Sequence, residues 1–226
     1  MKDKYNNSEI YYILINNILY TYSSENNKNI IIEGEDDIIF QITNEKNELE
    51  LLKNNNFSND YNSSIIDLAE CELLLKDKYN INKNNSLIFL KQEKITSKSS
   101  EKNIKYECFD PYNKTKLNLS VCSGIYINLY VKLGLSDETI LISEQIKELG
   151  YNMFNINDKF YQDICTPYKS SVNSDILLSD RINYIYNNED ARCQDNCEFY
   201  SYFLGSRYIN CSCSIDKIEN KKEKID

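Results

Sequence analysis

The sequence predicts an α+β fold that is mostly β. Three observations favour it: short apolar runs rich in Ile, Leu and Tyr, turn residues between those runs, and only two segments with helical periodicity. We interpret residues 1–134 as a β-rich, sandwich-like domain and residues 135–150 as a connecting helix. Residues 151–214 are predicted to form a small disulfide-stapled subdomain, and residues 215–226 a charged linker or tail.

The first sixty residues are interpreted as strands. Ile10 to Ile15 is apolar, and Ile18, Tyr20 and Tyr22 alternate with a period of two. Two further β-branched runs, 30–32 and 38–42, flank an acidic turn, and Leu49 and Leu51 indicate one more weak strand.

A helix is predicted to begin at Asp67, in a D-x-x-E capping box. Leu68, Cys71, Leu75 and Tyr79 then form one apolar stripe. Three predicted strands follow, at 87–90, 104–109 and 117–122. The last two are interpreted as a hairpin around the turn that contains Pro111.

After a strand at 125–133, a second helix is predicted. Ser136 is its expected N-cap, and Gly150 follows the helix end. Its predicted buried stripe consists of Leu135, Thr139, Ile142, Ile146 and Leu149. A short helical segment is also expected at 181–186, capped by Ser179 or Asp180.

Eight cysteines in 226 residues are many for a cytosolic protein, and the even count suits disulfides. Cys193 and Cys197 share one face if their turn is helical, and Cys211 and Cys213 share one face of a strand, so two adjacent disulfides are possible. All eight are disulfide candidates: Cys71, Cys108, Cys122, Cys165, Cys193, Cys197, Cys211 and Cys213. The alternative is zinc on Cys193, Cys197, Cys211 and Cys213, although zinc knuckles usually have C-x2-C spacing.

Composition excludes several classes of function. The net charge is −9 without a basic cluster, which argues against nucleic-acid binding. The chain has no histidine, so Ser-His and Cys-His nucleophile pairs are excluded, and no glycine-rich phosphate loop is present. We therefore expect no enzymatic activity, no cofactor and no small-molecule substrate.

The chain opens without an apolar leader segment, and no apolar run is long enough to cross a membrane. It is thus either a segment of a longer secreted or membrane protein or a cytosolic protein with reduced thiols. Seven N-x-S/T sequons are compatible with the secretory route. The candidates for glycosylation are Asn56, Asn62, Asn84, Asn113 and Asn118.

Several motifs resemble an ectodomain segment of large cysteine-rich surface proteins of A/T-rich protists, ciliates especially. The similarity lies in 160–168 (FYQDICTPY), 177–181 (LLSDR), C-x3-C at 193–197, C-x-C at 211–213, 66–71 (IDLAEC), 106–111 and 121–122. The resemblance covers about residues 64 to 213. It implies an extracellular location beside membrane helices of a parent protein, and no known chemistry. Its pattern has no cysteine at the position of Cys108.

These features predict a non-catalytic extracellular structural or binding module of a larger surface protein. Its partner would be an unknown protein or surface ligand, and it would meet a membrane only through the parent protein. The alternative is an intracellular protein-interaction domain stabilised by zinc.

Overall fold

The computed structural model describes residues 7–24, 28–34, 38–53, 63–94, 104–132, 137–162, 176–186, 193–194, 196–203 and 207–215. Its helices are α1 Asn7–Ser24, α2 Glu45–Lys53, α3 Glu70–Lys78, a 3-10 helix Leu119–Cys122, α4 Asp137–Glu148, α5 Lys159–Gln162, α6 Leu178–Asp180 and a π-helix Arg181–Tyr186. Its strands are β1 Ile30–Glu33, β2 Ile38–Asn44, β3 Ile65–Asp67, β4 Ile88–Lys94, β5 Ile104–Phe109, β6 Tyr126–Lys132, β7 Cys197–Phe203 and β8 Tyr208–Ser214.

The strands form two four-stranded antiparallel sheets, which confirms the α+β prediction. Sheet A has the order β1-β2-β4-β5, and sheet B has the order β3-β6-β8-β7. Sheet B therefore combines β3 and β6, from the predicted β-rich domain, with β7 and β8 from the predicted stapled segment.

Each sheet contributes to a shared apolar core. Phe89 and Tyr106 of sheet A belong to the same buried cluster as Leu129 and Ile209 of sheet B. Successive side chains of a strand lie on opposite faces, so each strand directs every second side chain toward the shared core. On the other face of β4, Leu90 packs in a second cluster with residues of α1.

The prediction of strands across residues 10–22 is wrong, because this segment is α1. Leu19 and Tyr22 are fully buried and Ile15 and Ile18 pack beside them, whereas Tyr20 is 61% exposed. The buried positions follow i, i+3, i+4 and i+7, which is the helical period. The apparent alternation of Ile18, Tyr20 and Tyr22 was coincidental.

The strand expected at Leu49 and Leu51 is also wrong, because these residues lie in α2. Asn44, the last residue of β2, caps this helix: its Oδ1 accepts a hydrogen bond from the N–H of Asn47 at 2.9 Å. Acidic side chains at Glu45 and Glu48 fall in the first turn, where the helix dipole favours them.

The stripe predicted for α3 is confirmed, but the capping box is not. Leu68, Cys71 and Leu75 are buried. The N-cap is Ala69, with φ 51° and no side-chain cap, while Asp67 ends β3 and accepts the N–H of Ala69 at 2.9 Å. The carboxylate thus stabilises the turn before the helix rather than its first turn.

The predicted hairpin after β5 is wrong in its second arm. The turn forms as expected, since Asp110 Oδ1 accepts the N–H of Tyr112 at 2.7 Å. The return is limited to one bridge between Phe109 and Lys116, and residues 119–122 form the 3-10 helix instead of a strand.

The strand at 125–133 is confirmed as β6, and the second helix is confirmed as α4. Thr139 and Ile146 of its predicted stripe are buried, but Leu149 lies beyond the last helical residue and is 59% exposed, so the prediction for Leu149 is wrong. Gly150 has φ 87°; its N–H bonds the Lys147 carbonyl at 2.9 Å, and the Tyr151 N–H bonds the Ile146 carbonyl at 3.1 Å. This pair is a Schellman ending. The expected N-cap Ser136 lies outside the described residues.

The helical segment at 181–186 is confirmed as a π-helix that continues α6. Its N-cap is Leu177, without a side-chain hydrogen bond, so neither Ser179 nor Asp180 caps it. The buried Arg181 anchors the segment, because its guanidinium donates to the carbonyls of Phe160 and Ile176, both at 3.1 Å.

Candidate functional site

The first candidate site is a pair of adjacent disulfides, which we call the staple: Cys193–Cys211 and Cys197–Cys213. In the β7–β8 register Cys197 lies opposite Cys213, and their Cα atoms are 4.0 Å apart. Cys211 and Cys213 share the buried face of β8, as their spacing predicted. The helical turn considered for Cys193 and Cys197 is wrong, because Cys197 is the first residue of β7. The staple thus fixes β7 and the segment before it to β8.

The staple lies where apolar burial is weakest in sheet B. β8 has five buried residues among seven, whereas every side chain of β7 is half-buried or exposed. β7 is also an edge strand with a register shift between Phe199 and Ser201. The covalent bonds therefore add to the limited attachment that half-buried Phe199 and Tyr202 make to the core.

A third disulfide, Cys71–Cys122, links α3 to the 3-10 helix, with Cα atoms 5.3 Å apart. Both cysteines are fully buried. It joins the stripe of α3 to the loop that precedes β6. It therefore closes a loop within the segment between β3 and β6, whereas the staple lies within residues 193–213.

Cys108, one of the disulfide candidates, is instead a buried free thiol on the inner face of β5. Burial raises the pKa of this thiol well above its ordinary value, and the nearby carboxyl of Glu45 raises it further. A thiol that stays protonated is a poor nucleophile and a poor metal ligand. Cys165 lies outside the described residues.

The zinc alternative requires four thiolates, and the structure places the sulfurs of its four cysteines in the two bonds of the staple. Within the described ranges, no group of three or more Cys, Asp or Glu side chains is arranged to hold a metal ion.

Three glycosylation candidates lie on exposed loops. Asn84, Asn113 and Asn118 are all exposed, whereas Asn210, which also begins a sequon, is 4% exposed within β8. Asn56 and Asn62 lie outside the described residues.

Sequence reasoning missed a buried charged cluster between α2 and sheet A. Lys91 Nζ lies 2.8 Å and 3.1 Å from the two carboxylate oxygens of Glu48, and both side chains are almost completely buried. Glu48 also accepts the N–H of Ile66, and Glu93 accepts the N–H and hydroxyl of Ser64, both at 2.8 Å. The only indication in the sequence was that Lys91 and Glu93 lie on the same face of the strand as the apolar Phe89.

A second charged cluster surrounds Glu45, at the start of α2. Lys76 lies 3.4 Å from Glu45 and also pairs with Glu72. Desolvation raises the pKa of Glu45 to about 8, and the hydrogen bond with Glu72 and its charge raise it too, while Lys76 lowers it. Both clusters are internal, so they link elements of the fold and offer no exposed reactive group.

Aromatic side chains of β6 and β7 form an aromatic surface, made of the exposed Tyr126, Tyr200 and Phe203 and the half-buried Tyr130. Tyr200 is 72%, Tyr126 57% and Phe203 47% exposed. The rings of Tyr130 and Phe203 have centroids 6.0 Å apart. Tyr200 lies at the register shift of β7, where it has no register partner in β8.

None of the helices in the described part of the chain is long and apolar enough to cross a bilayer. Comparisons of the chain with protein-family models, with curated proteins and with solved structures found no match.

Proposed function

We propose that this chain is a non-catalytic extracellular module, structural or binding, within a larger cell-surface protein. The observation that carries the proposal is the staple on β7. Disulfides persist in oxidising compartments, so three of them indicate a secreted or extracellular setting. Two of these bonds hold the edge strand β7, and a reducing cell would not keep them.

The described reactive groups support a role without catalysis. The Cys108 thiol is buried with a raised pKa, and the Lys91–Glu48 pair is sealed inside the core. General acid-base and nucleophilic catalysis require groups that reach a substrate. The two sheets, joined by one apolar core, support the sandwich-like packing that suits a spacer or a scaffold for binding.

The aromatic surface supports binding in particular. Tyrosine and phenylalanine are enriched in the centres of protein interfaces, because they bury much area at small entropic cost. Tyr200, Tyr126 and Phe203 present such area on sheet B. The partner would be a protein or a surface ligand, and a membrane would be reached only through the parent protein.

The test is thiol titration of the unfolded chain, prepared through a secretory route, before and after reductant. Six of the eight cysteines are in disulfides, so we expect at most two reactive thiols before reduction and eight after it. Eight thiols before reduction, together with bound zinc, would instead establish the intracellular zinc-stabilised alternative.

A further inference from the structure

One end of the molecule carries three sequons on two loops that contact each other. The first loop, 79–87, contains Asn84, and the second, 110–118, contains Asn113 and Asn118. The Asn85 amide donates to the Tyr112 hydroxyl at 2.6 Å, and the Asn118 N–H donates to the Tyr79 hydroxyl at 3.0 Å. Each hydrogen bond involves a sequon residue or its chain neighbour, so the three sequons lie in one patch, which we call the sequon patch.

The amide nitrogens of the patch are free to react. Among the described residues, none accepts a hydrogen bond from Nδ2 of Asn84, Asn113 or Asn118, and all three side chains are exposed. The contrast is with asparagines that do not begin a sequon and whose Nδ2 does donate: Asn44, Asn47, Asn85 and Asn128.

In two of these asparagines the side-chain amide oxygen already accepts hydrogen bonds. Asn113 Oδ1 accepts both the N–H of Thr115 at 2.9 Å and its hydroxyl at 2.6 Å, and Asn118 Oδ1 accepts the N–H of Ser120 at 2.9 Å. In both cases the third residue of the sequon holds the amide oxygen and leaves Nδ2 directed elsewhere. A sugar on that nitrogen would break no hydrogen bond of the fold.

We propose that Asn84, Asn113 and Asn118 are N-glycosylated, and that Asn210 is not. This inference depends on the extracellular route proposed above. The donor would be a lipid-diphosphate-linked oligosaccharide: its C1–O bond to the diphosphate breaks, a C1–Nδ2 bond forms, and the amide proton leaves with the lipid diphosphate. Glycans are bulky and solubilising and require surface positions. Asn210 is 4% exposed inside β8 and precedes a disulfide cysteine.

The test is to secrete the full chain from eukaryotic cells behind an added leader. Peptide N-glycosidase in heavy-oxygen water then converts each glycosylated Asn to a labelled Asp, which peptide mass spectrometry locates. We expect the label at Asn84, Asn113 and Asn118 and not at Asn210. Thr115→Ala should abolish the label at Asn113 alone, and its matched control Thr115→Ser should keep it.

Two results would overturn the inference: a secreted chain without label at the sequon patch, or a label at Asn210. The thiol count of the same sample separates this failure from failure of the proposed function. Three disulfides with an unlabelled patch refute only the glycosylation, whereas labelled sites with eight free thiols refute only the disulfide-stabilised module.

Discussion

Removal of the disulfides, one at a time and together, tests how the fold is held. In the chain-entropy treatment, a cross-link stabilises by restricting the unfolded chain, more so for longer loops. Cys71 and Cys122 are 51 residues apart, so loss of their bond through Cys71→Ala/Cys122→Ala should cost about 4 kcal/mol.

The staple should behave differently, because its two loops overlap. Cys193–Cys211 spans 18 residues and Cys197–Cys213 spans 16, and each bond alone would correspond to about 3 kcal/mol. When one is removed, the other still closes almost the same loop, so the entropic loss should be well below that value. Removal of both should restore the full cost, which is a non-additive result.

The assay is urea unfolding of each variant, followed by circular dichroism, with Cys108→Ala as the control for loss of a buried sulfur without a cross-link. The m-value should rise when a bond is lost, because the unfolded chain then exposes more surface. If Cys71→Ala/Cys122→Ala cost no more than the control, or if the two staple bonds were additive, the cross-link reasoning would be refuted.

Three further changes have expected outcomes. Lys91→Met should lower the free energy of unfolding, measured in urea, by about 3–5 kcal/mol, because it leaves the buried carboxylate of Glu48 without its counter-charge. Lys91→Met/Glu48→Leu should cost less than Lys91→Met. A double-variant cost equal to the sum of the two single-variant costs would contradict this reasoning. Glu45 has a folded pKa of about 8 against an ordinary value of 4.5, so the folded chain keeps a proton that the unfolded chain loses. Stability should therefore fall as pH rises from about 4.5 to 8, and Glu45→Gln should flatten that part of a pH–stability curve; an unchanged slope would exclude Glu45 as its source. Gly150→Ala should lower the stability measured by thermal melting by about 1 kcal/mol. The cost is backbone strain alone, because φ is 87° and an added Cβ would have no neighbour within 4 Å. An unchanged melting temperature would show that the turn relaxes.

The features that could be predicted from the sequence are those set by local chemistry. Gly150 ends α4 because a residue without Cβ tolerates its positive φ, and this holds whatever packs nearby. The i, i+2 spacing of Cys211 and Cys213 places both sulfurs on one face of any strand. Three residues separate Cys193 from Cys197, so a short turn is enough to bring both near Cys211 and Cys213.

The features that could not be predicted depend on distant packing. The segment 10–22 is apolar at both helical and strand periods, and only its contact with Leu90 and Ile42 on sheet A selects the helix. A lysine in a strand ordinarily indicates a solvent-facing position, yet Lys91 is buried because Glu48, forty-three residues earlier, is brought opposite it by α2. The local sequence around Lys91 does not indicate Glu48 as its partner, and the local sequence around Glu48 does not indicate Lys91.

Sheet B shows why oxidation and architecture belong together. β8 is held on one side by β6, through a register of seven residue pairs and a mostly buried side-chain face. Among the described strands β7 pairs with β8 alone, and its side chains are half-buried or exposed, so it is held less firmly than β8. The staple attaches β7 at its first residue and in the segment before it, at the end opposite Phe203. The disulfides thus keep an edge strand attached while its aromatic side chains Tyr200 and Phe203 remain exposed.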